Sequence, residues 1–231
     1  MNNKLDVKRL LGKWKNEIRE GSNNRAYHRY ASFDYCYSYF YNHRKNAKWL
    51  ANKQNIEKSC LHLGFYLASW GMYRGSTALL QTSFKVYEPL IKNIIAKQIQ
   101  KAWGIDVDNY KENMEILTNL YESIEKELKE SLGKTPSETL ITKIMLGVFC
   151  CVPAFDMNVR KGLKRAGESY HKSFKQNISA IERIYIANKA QIDGESNKHR
   201  VLNFETGRLS TEHYTKAKII DMTLFELGKR K

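Results

Sequence analysis

Three prolines and thirteen glycines in 231 residues are too few to cut the chain into many short strands and turns. No stretch alternates apolar and polar residues cleanly enough to read as a strand, although Tyr35, Tyr37 and Tyr39 do so locally. The four cysteines, Cys36, Cys60, Cys150 and Cys151, have no paired metal-ligand spacing. Two adjacent cysteines also make a poor disulfide, so reduced thiols are expected. Acid is scarce: 24 Asp and Glu stand against 39 Lys and Arg, a formal net charge of +15. There is no Walker loop, no Rossmann glycine fingerprint, no Gly-x-Ser-x-Gly elbow and no zinc-binding His-Glu helix. No cofactor and no metal is therefore expected. Cys60 and His62 are too small a ligand set, and Cys151 has no histidine close in sequence to activate it.

A long apolar run is missing too. Residues 1–15 are polar and basic rather than a charged-then-apolar leader, and Arg74 interrupts the least charged segment. These features argue against a membrane span and for the cytoplasm. The excess of base implies either a polyanionic partner, nucleic acid first among them, or an ordinary soluble protein with a strongly positive surface.

Long runs rich in Lys, Glu, Leu, Ile and Ala favour helix, and 42% hydrophobic content can supply one substantial core. The expected fold is all-α, a single domain over residues 1–231 with seven or eight helices and a kink near Pro153. Residues 5–20 place Leu10, Leu11, Trp14 and Ile18 on one side, and residues 21–24 end that helix. Residues 25–50 read as an aromatic-rich helix. Residues 86–103 form a further one with Ile91, Ile94, Ile95 and Ile99 inward and Pro89 in its first turn. Asp108 is the expected N-cap for residues 109–132. Thr135 with Glu138 reads as a capping box opening the next helix, with Pro136 at its first position. Pro153 lacks an amide donor and clashes with the carbonyl of Phe149, so a kink or a new helix follows, with Asp156 near a first turn. Residues 169–190 and 215–227 are helical, and residues 191–210 read as a polar loop.

Residues 59–84 contain a single permanent charge, Arg74. As a helix, they align Gly64, Ala68, Gly71, Gly75 and Ala78 on a stripe about 80° wide, against which another backbone should pack. Arg74 then continues the line of Leu63, Leu67 and Trp70, where an enclosed guanidinium requires a carboxylate or phosphate partner. Asp34, Asp156 and Asp221 stand in apolar or aromatic surroundings and are its candidate partners. The leading interpretation is a structural ionic network that fixes helix register. The functional one is a pocket in which Arg74 grips a small ligand's phosphate or carboxylate, or a regulatory partner.

Base interleaved with aromatics provides candidate nucleic-acid contacts, because arginine binds phosphate while rings stack on bases. These are Arg25, Arg29 and Arg44 with Tyr27 and Tyr30, whereas Phe33, Tyr37 and Phe40 are assigned to the core. Lys161, Lys164, Arg165, Lys172 and Lys175 make a second basic face, and Lys198 with Arg200 adds charge to the polar loop. The expected partner is nucleic acid, RNA ahead of DNA, with a protein partner or a second copy of the chain as further candidates.

Two resemblances bear on function. The strings at residues 68–76 and 151–156, with Asp221-Met222, resemble an uncharacterised family of small bacterial proteins, which implies a setting near mobile elements or antiviral defence genes and no inherited functional residue. The spacing from Arg208 to His213 resembles that of metal-independent HEPN ribonucleases, themselves small helical bundles; Arg165 to His171 is similar. That resemblance implies His213 as general acid or base on the ribose hydroxyl and Arg208 stabilising the phosphorane. Leu209 and Ala166 stand where that class usually has a polar residue.

Overall fold

The structure, a computed structural model, describes residues 4–21, 25–75, 77–97 and 101–229. The expected turn at 22–24, the Ile18 side chain and Ile99 lie outside the described residues. The fold is all-α apart from one small antiparallel hairpin. Its helices are α1 (Val7–Gly21), α2 (Ala31–Asn42), α3 (Ile56–Ser69), α4 (Glu88–Asn93), α5 (Tyr110–Leu132), α6 (Glu138–Ile144), α7 (Met157–Arg165), α8 (Phe174–Ser196) and α9 (Lys216–Lys229). Strands β1 (Arg200–Leu202) and β2 (Leu209–His213) form the hairpin where a loop was expected.

Several expected helices are shorter or broken. Residues 25–50 divide into a 3-10 turn, α2, and a 3-10 stretch interrupted at Asn46 (φ −135°). At the end of α2 the His43 ring takes the Tyr39 carbonyl at 2.7 Å, a side-chain bond that competes with the helix ladder. Residues 86–97 and 101–103 likewise form short 3-10 pieces around α4, with Pro89 in its first turn as expected. Asp108 is not a cap: Asp106 caps the 3-10 turn Val107–Asn109 through a box with Asn109, and α5 follows with Asn109 at its N-cap. Ser137, not Thr135, caps α6. The helix continuing from α6 ends in a π turn at Met145–Phe149, and Cys150 closes it with φ 55°. Pro153 thus lies in an extended segment, and the next helix begins at Met157.

α9 is the most enclosed helix, buried along nearly its whole length. It runs against α7 at backbone distance: a methyl built on Gly162 would lie 2.1 Å from the Leu224 carbonyl oxygen, and one on Gly228 1.9 Å from that of Asn158. The close backbone approach expected along residues 59–84 is found here instead. Its ends are satisfied from elsewhere, because the Asp106 carboxylate accepts from Lys216 N at 2.8 Å and Ala217 N at 2.9 Å. Arg165 donates to the Leu227 and Gly228 carbonyls at 2.7 and 3.0 Å.

On α2 the aromatics largely pack inward. Phe33, Tyr37 and Phe40 are buried as expected, and Tyr30 joins them, stacked between Trp14 and Trp70 at 5.7 and 5.1 Å. A satellite stack joins His62 to Tyr39 at 4.0 Å and His43 to Trp49 at 3.8 Å.

Substituting Gly162 by Ala separates helix propensity from packing. Propensity favours Ala by about 1 kcal/mol, whereas overpacking commonly costs about 1–3 kcal/mol. Since the obstacle is backbone, packing should win, and urea unfolding should show net destabilisation. A second expectation concerns acid. Burial, with Lys58 and His43 nearby, pushes the His62 imidazole down to about 4. Between the ordinary value near 6.5 and 4 the unfolded chain therefore binds the extra proton, so His62 makes stability fall as pH falls. His62→Gln should flatten this acid limb by at most about 3 kcal/mol between pH 6.5 and 4; equal pH dependence of the two proteins would contradict the assignment.

Candidate functional site

The site begins where α3 stops. Gly71 takes φ 78°, and two bonds close the helix end, Gly71 N to Ala68 O and Met72 N to Leu67 O, each 2.9 Å. This is a Schellman closure, which favours glycine at the first residue beyond the cap. Gly75 is also left-handed at φ 62°. The small-residue stripe therefore does not form as a helix face. Gly64 is covered by the Phe84 ring, and the space at Gly71 is filled by the Arg74 guanidinium, whose Nε would lie 2.7 Å from an added methyl.

Arg74 is exposed rather than enclosed. It has no ion-pair partner among the described residues and lines a cleft of about 520 Å³. Arg29, Lys143, Asp156, Lys229 and the aromatics Trp70, Tyr73 and Phe225 share that cleft. Asp156 is the one expected acidic partner present, but it is engaged elsewhere. Its Oδ1 caps α7 by accepting from Asn158 N at 2.9 Å and Val159 N at 3.0 Å, and its Oδ2 meets Lys143 Nζ at 3.2 Å.

The other two acids lie in separate buried pairs. Asp221 Oδ2 meets Lys218 Nζ at 3.0 Å, while its Oδ1 accepts from Ala154 N at 3.0 Å. Asp34 accepts from the Tyr214 hydroxyl at 2.6 Å and from Arg25 at 3.2 Å, and Arg25 reaches the Tyr214 hydroxyl at 2.6 Å. Burial pushes the Asp34 carboxyl up, against the opposing pull of Arg25 and the Tyr214 bond. The four-member cluster expected around Arg74 thus resolves into three ion pairs whose bases are Lys143, Lys218 and Arg25. Lys143 and Lys218 are not singled out by the sequence, and Arg25 is assigned there to nucleic acid rather than to Asp34. The available signal was Lys218 three residues before Asp221.

Trp70 is the hub between these parts. It stacks on Tyr30, meets Phe225 edge-on at 5.9 Å, and has Lys143 Nζ at 5.1 Å, Lys218 Nζ at 5.6 Å and Arg29 Cζ at 5.9 Å over its ring. The ring is therefore committed to protein contacts. Its buried indole N–H has no hydrogen-bond partner among the described residues. Behind it, Lys143, Asp156, Lys218 and Asp221 surround a void of about 10 Å³, the size that holds one water. Met157, 65% exposed, presents an apolar surface at the cleft.

The expected nucleic-acid contacts divide in the same way. Arg25 is consumed by the Asp34 network, Arg165 by the end of α9, and Arg44 donates to Tyr41 O at 2.9 Å while lying 3.6 Å from the Tyr41 ring centre. Tyr30 is buried and Tyr27 is 84% exposed. Arg29, Lys161, Lys164, Lys172 and Lys175 remain exposed; of these, Arg29 lines the cleft.

Arg208 and His213 are both exposed, one just before β2 and the other at its end. The five residues of β2 span about 13 Å and stand between the bend that carries Arg208 and the strand end that carries His213. The structure thus does not bring them together as a catalytic pair. His171 follows α7 in a separate loop, while Arg165 is held by α9. Burial pushes Cys150 up to about 12 and Cys151 well above the ordinary thiol value, and protonated thiols are poor nucleophiles. Among the described residues no three metal-ligating side chains converge, and no helix is long and apolar enough to cross a membrane.

Asp221→Ala should cost about 3–5 kcal/mol, because it leaves Lys218 buried without its counter-charge and removes the acceptor of Ala154 N. Arg74→Ala should stay within about 0.5 kcal/mol of the parent. Urea denaturation of both variants checks the assignment of structural and free charge. No family model, curated protein or solved structure matches the chain.

Proposed function

We propose that the chain binds nucleic acid, RNA ahead of DNA, and that the cleft beside Trp70 is its specific contact. The carrying observation is that Arg29 and Arg74 line one cleft of about 520 Å³ without ion-pair partners among the described residues. That volume falls within the range of sites that take a small molecule or one residue of a polymer. Guanidinium forks match phosphate oxygens, and Met157 and Tyr73 offer apolar surface for a base or sugar. Thr139 and Asn158 on the same lining supply polar atoms for a ribose 2′-hydroxyl, which favours RNA. The net charge of +15 supports polyanion capture. A setting in bacterial defence or mobile elements rests on the resemblance of short strings alone.

The same cleft supports a second reading, a regulator that binds a free small phosphate or carboxylate ligand. The endoribonuclease reading has no comparable support, since strand β2 separates Arg208 from His213.

Anisotropy titrations of a short single-stranded RNA and its DNA counterpart across salt concentrations test the proposal. The log–log salt slope for a single strand should fall by about 0.7 for each phosphate contact removed. Arg29→Ala and Arg74→Ala should each lower the slope and weaken RNA binding, while Lys172→Ala with Lys175→Ala leaves the cleft contact intact. Absence of binding at low salt removes the nucleic-acid reading, and unchanged slopes in the two arginine variants remove the cleft from it.

A further inference from the structure

The charge balance of the cleft carries a more specific statement about what it accepts. Lys143, 4% exposed, is offset by Asp156 at 3.2 Å. Lys229 is offset by Glu226 at 2.8 Å, a residue 4% exposed. Two guanidiniums, Arg29 and Arg74, remain without ion-pair partners among the described residues, and both are exposed and line the cleft with Trp70. An internal phosphodiester carries one negative charge, whereas a phosphate end group carries about 1.5 to 2 at neutral pH. Two free guanidiniums match the end group, and its three terminal oxygens can accept from both forks at once.

One feature strengthens this match. Gly71 leaves room for the Arg74 guanidinium at the α3 end, since a side chain there would displace it. No carboxylate among the described residues pairs with that guanidinium, so its donors stay available.

We infer that the cleft recognises the phosphomonoester of a nucleotide, as a strand end or as a free mononucleotide, in preference to a phosphodiester within a strand. This rests on the proposed use of the cleft for nucleic acid and names the group that is read. The test uses the full chain and one short single-stranded RNA in three forms: 5′-phosphate, 3′-phosphate, and hydroxyl at both ends. Adenosine 5′-monophosphate, adenosine and inorganic phosphate serve as competitors.

At physiological salt one phosphorylated form should bind at least about tenfold more tightly than the hydroxyl form, the worth of a charge-assisted hydrogen bond. Arg29→Ala with Arg74→Ala should erase that preference, with circular dichroism unchanged; Arg29→Lys with Arg74→Lys should recover only part of it. Competition by the monophosphate but not by adenosine identifies the phosphate as the recognised group. Equal binding of all three strands, insensitive to the arginine pair, overturns the inference while leaving general nucleic-acid binding in place. If no strand binds but the monophosphate does, in an arginine-dependent manner, the phosphomonoester assignment stands and the nucleic-acid reading falls. Competition by inorganic phosphate as strong as by the monophosphate contradicts recognition of a nucleotide.

Discussion

The arrangement depends on α9 being held without freedom to slide. A buried helix must have its terminal amides and carbonyls satisfied by protein groups, because water cannot reach them. Asp106 does this at one end and Arg165 at the other. Between them Gly162 and Gly228 bring the α7 and α9 backbones into contact, so a shift along the axis would drive carbonyls into Cα atoms. Phe225 and Lys229 on α9, and Asp156 at the start of α7, are consequently placed as one unit at the cleft.

Buried ion pairs complete this fixation, and the cost of desolvating them offsets much of their attraction. Their geometry shows what they specify. Asp221 joins α9 to the segment at Ala154, Asp156 joins α7 to Lys143 of α6, and Asp34 joins α2 to Tyr214 directly and also pairs with Arg25. Asp221 and Asp34 bridge segments far apart in sequence, to Ala154 and Tyr214, and those two bonds would be lost if α9 or α2 rotated. Register is therefore encoded by acids whose scarcity in the chain makes mispairing rare. The same pairing removes buried charge from the electrostatics of the cleft and leaves its excess on the rim.

Helix content was legible because it rests on local composition and apolar spacing, as in Leu10, Leu11 and Trp14 of α1 or Leu117, Leu120 and Ile124 of α5. The boundaries were less so. Gly71 fits a helical stripe by spacing, yet its conformational freedom is used at positive φ to end the helix, and only the bonds of Ala68 and Leu67 distinguish these uses. The tight glycine contact between α7 and α9 joins residues 162 and 228, and no local period reports such a pair. The hairpin was hidden because β2 alternates buried and exposed only weakly, with residues Leu209 to His213 all at least partly exposed. Arg74 was singled out by its isolation among apolar residues, and it does line the cleft. Its supposed partners were misassigned, because a sequence lists acids without showing that lysines reach them first.

That misassignment alters the meaning of the net charge. An excess of +15 spread over a surface attracts any polyanion from a distance, but salt at 0.15 M screens exposed charges beyond about 8 Å. Long-range attraction can therefore raise encounter rates without distinguishing one phosphate from another. Discrimination requires donors at hydrogen-bond distance in a fixed geometry, where screening is weak. In the proposed reading, exposed lysines on α7 and after it serve the first need, and Arg29 beside the Trp70 ring with Arg74 packed at Gly71 serves the second.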